Sequence, residues 1–308
     1  MKTLLIGFTL LLVSLAVYPQ KMEVPIRWKA GDVWTYDLKK REHTRWTDSD
    51  ERSRIGFKLK ILSENYGGNL YEAEWQYLSY KSPKTDSLKD TCALVMKKFL
   101  LQTPFRLKIS KTGEFKGWID FEGLRKKMSA FADNESKKLG STLCNEYMNN
   151  MMNVPSDSAY IMYGQLPEIR NFFEGFSLLK TDGSLLKDTL AVMPFAIEGK
   201  GDVPKVISRK VKHLGDGLEV SFTSELSRPH YKKFYQDQTR IAAGKMGMDD
   251  ESIKRITARM KDYKPTKGEL RQAVFDKKSG TIRKFLYQQK EGFSPEEDEV
   301  VSYEFVLK

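Results

Sequence analysis

The sequence predicts an α+β fold in which antiparallel strands form the larger part and helices cover them. Three observations lead to this prediction. Apolar residues alternate with a period of two along several segments, which is typical of half-buried strands. Between these segments, apolar residues recur at three- and four-residue spacing, which is typical of amphipathic helices. The strands follow one another through hairpin-length turns rather than regular helical crossovers, and this favours antiparallel pairing.

Strand periodicity dominates the first part of the chain. Trp34, Tyr36 and Leu38 share one face of an alternating segment, and Gly67-Gly68-Asn69 gives a hairpin turn between two further segments. The polar stretch 82–89 is a predicted loop. The predicted strands are 34–45, 54–62, 70–80, 94–109 with a break near Pro104, and 115–119.

The periodicity changes at Asp120, a good helix N-cap. Apolar residues then recur at helical spacing, from Phe121 to Met151, and predict a long helix over 120–152. Pro167 suits the first turn of a shorter helix that runs to 173. The second half repeats the order of strands and helices, which suggests a duplicated strand–helix–strand unit. It has predicted strands at 190–199, 203–213, 218–226, 269–275, 281–289 and 300–307, and helices beginning at Pro229 and after Asp249 or Asp250.

The N-terminus has the layout of a secretory signal peptide. Lys2 supplies a positive charge, residues 4–13 form an apolar stretch, and Ser14 to Ala16 bring small residues to the expected cleavage position. The apolar stretch is shorter than the roughly 20 residues of a spanning helix; an uncleaved anchor is the alternative. We expect residues 1–16 to be removed, and the mature chain to be exported to the periplasm or outer surface of a Gram-negative bacterium.

An excess of basic residues gives the 308-residue chain a formal charge of +11, from 52 Lys and Arg against 41 Asp and Glu. In an exported protein this excess does not indicate a nucleic-acid partner. It is compatible with peripheral contact with an anionic membrane surface, or with lipid or another envelope protein as partner. The charges are also interspersed with acids, as in Asp50-Glu51-Arg52, which is typical of a solvated surface. Both interpretations stay open.

The sequence lacks the common catalytic and metal-binding motifs. It contains no Gly-x-Ser-x-Gly elbow, no His-Glu-x-x-His pair and no Gly-x-Gly-x-x-Gly fingerprint. Three histidines and two cysteines leave little from which to build a metal centre. We therefore predict no enzymatic activity, no cofactor and no metal site. A hydrolase that uses two carboxylates is the remaining alternative, because the sequence alone cannot select such a pair.

Cys92 and Cys144 are the two cysteines of the chain. In an oxidising compartment, a disulfide between them would stabilise the fold by roughly 4 kcal/mol through closure of the intervening loop. Two unpaired, buried thiols are the alternative, and the sequence does not decide between them.

Aromatic residues recur on the inward faces of the first predicted strands. Either they are packed core under the helices, or they line a pocket for an acyl chain or another apolar ligand. Met128 lies on helix 120–152, which we expect to cover these strands, and methionine suits an adaptable lid as well as a core. The candidate ligand-binding residues are Trp34, Tyr36, Phe57, Tyr71, Trp75, Tyr77 and Met128.

Three short segments carry Asp, then Ser or Thr, then a small or aliphatic residue, and each falls in a predicted loop or turn. They resemble the O-glycosylation signal of exported proteins of Bacteroidota. The candidate acceptors are Ser87, Ser158 and Thr189.

The turns at Ser110 to Gly113 and Asp276 to Gly280 each place Ser or Thr and Gly between two strands. This is ordinary hairpin chemistry. The same turn recurs in exported proteins of the LolA-like group. The order of strands and helices in this sequence also resembles the order in that group over most of the mature chain. That group comprises lipoprotein carriers, their lipid-binding relatives and periplasmic sigma-factor regulators. The resemblance implies a strongly curved antiparallel sheet, or half-barrel, whose concave face is closed by helices.

Taken together, these features predict an exported, non-catalytic binding protein of the cell envelope. Its ligand would be amphipathic or apolar and would lie between sheet and helices. A structural or protein-interaction module with a filled core and no small ligand is the competing hypothesis. We predict one α+β domain over 17–308; the alternative is two halves, 22–176 and 190–308.

Overall fold

The computed structural model describes residues 25–44, 49–65, 69–81, 88–139, 166–179, 187–191, 202–260, 266–292 and 299–308. The predicted signal peptide lies outside these residues. The strands are β1 (Val33–Thr44), β2 (Ser49–Asn65), β3 (Leu70–Lys81), β4 (Phe105–Ser110), β5 (Phe115–Trp118), β6 (Lys187–Ala191), β7 (Asp202–Leu214), β8 (Gly217–Leu226), β9 (Thr266–Asp276), β10 (Ile282–Gly292) and β11 (Glu299–Leu307).

The described strands form one antiparallel sheet in the order β5-β4-β3-β2-β1-β11-β10-β9-β8-β7-β6. Strands that follow one another in sequence pair as neighbours along most of this order. The exception is the central pair, in which the C-terminal strand β11 lies beside the N-terminal strand β1, with Leu38 opposite Phe305. The two halves of the chain therefore contribute to one continuous sheet. Whether they fold as one domain or two stays a prediction.

The sheet is curved, and the ring contacts on its inner face show the curvature. Strands β2 and β11 are separated by β1, so in a flat sheet they would lie about 10 Å apart. The rings of Phe57 on β2 and Phe305 on β11 nevertheless lie 6.0 Å apart, centroid to centroid. Side chains converge in this way on a concave face. The predicted α+β fold with a curved antiparallel sheet is confirmed.

The alternating periodicity correctly identified the inner face of β2 and β3. On β3, Tyr71, Ala73, Trp75 and Tyr77 are buried while the residues between them are half-exposed. The same alternation holds on β2 from Phe57 to Ile61. Half-buried strands require this pattern because successive side chains point to opposite faces of the sheet.

Five helices are described. They are α1 (Leu88–Gln102), α2 (Phe121–Leu139), α3 (Pro167–Ser177), α4 (Arg228–Lys245) and α5 (Asp250–Arg259). None of the helices in the described part of the chain is long and apolar enough to cross a membrane.

The prediction of a strand over 94–104 was wrong, because this segment belongs to α1. Its buried residues are Val95, Met96, Phe99 and Leu100, which recur with the three- to four-residue period of a helix. Short apolar runs of this kind do not distinguish helix from strand by hydrophobicity alone. The rest of the prediction was correct, since β4 begins at Phe105, just after Pro104.

The predicted helix starts are confirmed to within one residue, since α4 begins at Arg228 rather than at Pro229. Asp120 caps α2, its carboxylate accepting a hydrogen bond of 3.0 Å from the backbone N–H of Gly123. Asp249 caps α5 in the same way, accepting a 2.7 Å bond from the N–H of Ser252. Helix α3 starts at Pro167 as predicted, but it continues to Ser177 rather than ending at 173. The predicted extension of α2 beyond Leu139, to 152, lies outside the described residues.

Candidate ligand-binding site

Helix α3 packs on the concave face of the sheet, and the ring of Phe172 is the centre of this contact. Phe172 is fully buried. Its neighbours come from four adjacent strands and from α3 itself. The distances from its ring centroid are 4.9 Å to Tyr36, 5.5 Å to Phe57, 5.4 Å to Trp75, 5.5 Å to Phe305, 5.3 Å to Phe173 and 5.8 Å to Phe176.

Polar contacts fix α3 along its length. Arg209 on β7 donates a 2.7 Å hydrogen bond to the carbonyl oxygen of Leu178, just beyond the helix, where carbonyl groups lack partners within the helix. Glu174 lies 3.7 Å from both Arg170 and Arg271, so an ion-pair network links the helix to β9. Aromatic contacts therefore stabilise the inner face of α3, and ion pairs stabilise its outer face.

A glycine allows α3 to approach the sheet closely at one point. A Cβ atom at Gly175 would lie 2.9 Å from Cδ1 of Ile282 and 3.2 Å from the ring of Phe285. Real Cβ atoms essentially never show a contact as short as 2.9 Å. The close packing between α3 and β10 therefore leaves little room for a side chain at position 175.

The structure places the predicted ligand-binding residues in three neighbouring groups. Rings from β1, β2 and β3 meet beneath Phe172. Others gather around Trp28, whose ring centroid lies 5.3 Å from that of Trp34. All except the half-buried Trp34 are at most 1% exposed, and their role as ligand contacts stays a prediction. The three groups are Tyr36, Phe57 and Trp75 beneath Phe172; Trp34 and Tyr71 around Trp28; and Tyr77 beside Trp75 and Phe105, with Met128 on α2 in the same core.

Sequence analysis predicted α3 but missed its role as a cover. The rings packed on Phe57 and Trp75 from a described helix are those of Phe172 and Phe173 on α3. Helix α2, expected in that position, contributes Phe131, which packs on Phe99 of α1 at 5.5 Å. The signal was present in the sequence: Ile169, Phe172, Phe173 and Phe176 follow the spacing of a helix face that is buried along its length.

Two polar side chains on α3 point into this apolar environment. Glu168 is 6% exposed and Asn171 is 1% exposed. They are three residues apart, so they lie on the same side of the helix. Among the described residues, neither amide atom of Asn171 has a hydrogen-bond partner, nor does Oε2 of Glu168. Nearly all buried polar groups in proteins are hydrogen-bonded, and leaving one unpaired costs about 1–3 kcal/mol.

Burial also changes the acidity of this region. It raises the pKa of the Glu168 carboxyl above its ordinary value, against the opposing effect of the positive charge of Lys40. Burial raises the pKa of Tyr77 and of Tyr303 as well, with the charge of Glu168 acting in the same direction. Lys40 and Tyr77 lie in the C-terminal halves of β1 and β3, and Tyr303 on β11 lies opposite Lys40, so these residues mark one end of the concave face.

The opposite end of the concave face is closed by the segment before β1. The indole N–H of Trp28 donates to Oγ1 of Thr281 at 3.0 Å, and the hydroxyl of Tyr71 donates to the carbonyl oxygen of Ile26 at 3.3 Å. The backbone N–H of Arg27 bonds the carbonyl oxygen of Ser279 at 2.9 Å. The concave face thus has an aromatic centre, one end closed by the chain, and polar groups at the other end.

The remaining sequence predictions concern residues outside this site. Cys92 lies in α1, but its side chain is not described, and Cys144, Ser87 and Ser158 lie outside the described residues. Thr189 was predicted in a loop, and this was wrong: it lies in the edge strand β6, opposite Pro204. The described residues contain no group of three or more His, Cys, Asp or Glu side chains that could hold a metal ion.

No protein-family model matches the chain, and no curated protein matches it. A solved structure that resembles it is lipovitellin, from work on lipid–protein interactions in that protein. The match covers 92% of this chain at 10% identity, with a TM-score of 0.38. This chain covers 25% of the lipovitellin chain, and so distant a likeness carries no argument about function.

Proposed function

We propose that this protein is an exported, non-catalytic binding protein of the cell envelope that holds an amphipathic ligand between the concave face and α3. The apolar part of the ligand would contact the aromatic rings beneath α3. Its polar group would bind Glu168 and Asn171. The LolA-like resemblance and the predicted signal peptide motivate the envelope location.

The observation that carries this proposal is the pair of buried polar side chains without partners. A helix that only had to fill a core would gain stability from apolar residues at both positions, because an unpaired buried polar group is costly. Asn171 offers one donor group and one acceptor atom. A ligand hydroxyl, carboxyl or amide would satisfy both and offset that cost.

The ring packing determines how such a ligand would enter. Tyr36, Phe57 and Trp75 are fully covered, with Phe57 and Trp75 stacked at 3.8 Å. An acyl chain can reach them only if α3 shifts or if the rings of Phe172 and Phe173 change rotamer. Movement of α3 would disturb the contact between Glu174 and Arg271, which holds it to β9.

The alternative function is a protein-interaction module with a filled core. The same full burial of the rings favours it, since a core already packed with side chains needs no ligand. In that case the unpaired groups of Glu168 and Asn171 would be satisfied by ordered water.

A lipid-binding titration with one pair of variants separates the two functions. Asn171→Leu removes the unpaired amide, and Asn134→Leu makes the same change at an exposed position of α2. We expect wild-type protein and Asn134→Leu to bind fatty acid with a change in tryptophan fluorescence, and Asn171→Leu to bind about tenfold more weakly. Absence of any fluorescence change, together with no lipid in an organic extract of the protein, would favour the interaction module.

A further inference from the structure

Two further buried polar groups lie on the inner face of β3, at the same end of the concave face as Glu168. The indole N–H of Trp75 and the hydroxyl of Tyr77 have no hydrogen-bond partner among the described residues. Trp75 is fully buried and Tyr77 is 1% exposed. Buried polar groups are nearly always hydrogen-bonded, so two unpaired groups on one strand need an explanation.

These two groups lie close to the polar side chains of α3. Trp75 and Tyr77 are alternate residues on one face of β3, and their ring centroids are 6.1 Å apart. Trp75 packs on Phe172 at 5.4 Å, and Phe172 follows Glu168 by one helical turn. Burial raises the pKa of Tyr77, and the charge of Glu168 raises it further, so the carboxyl lies near the hydroxyl. We call Trp75, Tyr77, Glu168 and Asn171 the polar cluster.

The polar cluster offers both donors and acceptors of hydrogen bonds. Trp75 only donates, whereas Tyr77 and Asn171 each donate and accept. Burial raises the pKa of the Glu168 carboxyl, and a protonated carboxyl also donates and accepts. A planar head group with a carbonyl oxygen beside an O–H or N–H group complements this set. Carboxyl and carboxamide groups have that arrangement, whereas an ester group only accepts.

The charges around the polar cluster disfavour an anionic head group. Lys40 and Glu42 on β1 are the described charged side chains that act on Glu168. They form an ion pair of 2.7 Å with each other, so the positive charge of Lys40 is already compensated. A phosphate group would bring a further negative charge into a buried environment beside an acid. Burial of a charge without a partner of opposite sign is strongly unfavourable.

We propose that the polar cluster selects a single-chain amphiphile whose head group is an uncharged carboxyl or carboxamide. Trp75 and Tyr77 then bind the head group together with Glu168 and Asn171. The proposal rests on the proposed function, because it assigns the chemistry of the polar group that is held beneath α3. It excludes phospholipids as ligands, although their acyl chains would suit the aromatic rings equally well.

Tryptophan fluorescence titration with four ligands of the same acyl chain tests this selectivity. The ligands are oleic acid, oleamide, methyl oleate and oleoyl lysophosphatidylglycerol, at about pH 5, where part of the oleic acid is uncharged. Oleamide should bind at least as tightly as oleic acid. Methyl oleate should bind about tenfold more weakly than oleamide, because it has no donor for the acceptor atoms of the polar cluster. Lysophosphatidylglycerol should bind at least roughly 100-fold more weakly, because of its charge; binding as tight as that of oleamide would overturn the proposal.

One pair of variants tests the role of Tyr77. Tyr77→Phe removes the unpaired hydroxyl, and Tyr287→Phe is the control, since the hydroxyl of Tyr287 donates to Gln289 at 3.1 Å on β10. Tyr77→Phe should bind oleamide roughly fivefold more weakly, whereas Tyr287→Phe should bind it like the wild type. Without ligand, Tyr77→Phe should unfold at the same temperature as the wild type or higher, because the lost hydroxyl has no partner. Unchanged oleamide binding, or a lower unfolding temperature, would overturn the proposal.

The two proposals can fail separately. If oleic acid binds and Asn171→Leu weakens its binding, but lysophosphatidylglycerol binds equally well, the proposed function stands and the assignment of the head group is wrong. If none of the four ligands changes the fluorescence, the proposed function is wrong and the assignment of the head group falls with it.

Discussion

Truncation of Phe172 to alanine should destabilise the protein more than any change on its surface. The ring is fully buried and lies within 5.8 Å of six other rings, measured between centroids. Loss of its transfer free energy accounts for about 2–3 kcal/mol. A cavity term adds to this, because the surrounding rings are packed on one another and cannot easily collapse. We therefore expect a loss of about 4 kcal/mol, a large fraction of the 5–15 kcal/mol typical of whole domains.

Urea unfolding followed by tryptophan fluorescence and by far-ultraviolet circular dichroism measures this loss. Phe172→Leu keeps most of the volume and should cost about 1 kcal/mol. Leu78→Ala is the surface control, since Leu78 is 48% exposed, and it should cost less than about 0.5 kcal/mol. A loss below about 1 kcal/mol for Phe172→Ala would refute the packing of α3 on the sheet.

Two further predictions concern acidity and backbone geometry. Since burial raises the pKa of Glu168 above its ordinary value of 4.5, the folded state is most stable below that pH and loses stability as the pH rises through the raised pKa. Glu168→Gln should therefore raise the unfolding temperature at about pH 8 and leave it nearly unchanged at about pH 4; an equal shift at both values would contradict this. Gly113→Ala should cost more than 2 kcal/mol, because its Cβ would lie 2.4 Å from the ring of Phe176 at a φ of +79°. Gly31→Ala, at a φ of +91° with no atom within 4 Å of the Cβ, should cost about 1 kcal/mol in the same thermal melt; equal losses would contradict the packing at Gly113.

The sequence predicted secondary structure correctly where one face of an element is buried and the other is exposed to solvent. Strand β3 illustrates this, since alternation from Tyr71 to Tyr77 predicted both the strand and its inward face. The caps at Asp120 and Asp249 were also predictable, because a short acidic side chain before an amphipathic run satisfies the free N–H groups of the first turn.

Helix α1 could not be predicted in the same way. Residues 94–102 form two short apolar runs separated by Lys97 and Lys98, and such short runs suit a buried strand as well as a helix. Helix α1 packs against β3, and that contact is not visible in local sequence.

The candidate site was predicted in part. The inward-facing aromatic residues of β1, β2 and β3 could be predicted from strand periodicity, because each strand contributes its own inward residues. The role of α3 depends on the pairing of β1 with β11, which brings Tyr36 and Phe305 beneath one helix. No local pattern records a contact between the two ends of a chain. Asn171 was missed because a lone polar residue in an aromatic helix is significant only once its burial is known.

Native mass spectrometry tests the proposed ligand site most directly. Wild-type protein and Asn171→Leu are incubated with a mixed lipid extract, separated from free lipid, and measured in folded and denatured states. We predict that folded wild-type protein carries the additional mass of one bound amphipathic molecule, that denaturation removes it, and that Asn171→Leu carries much less. Wild-type protein that shows only the mass of its polypeptide in both states would contradict ligand binding beneath α3.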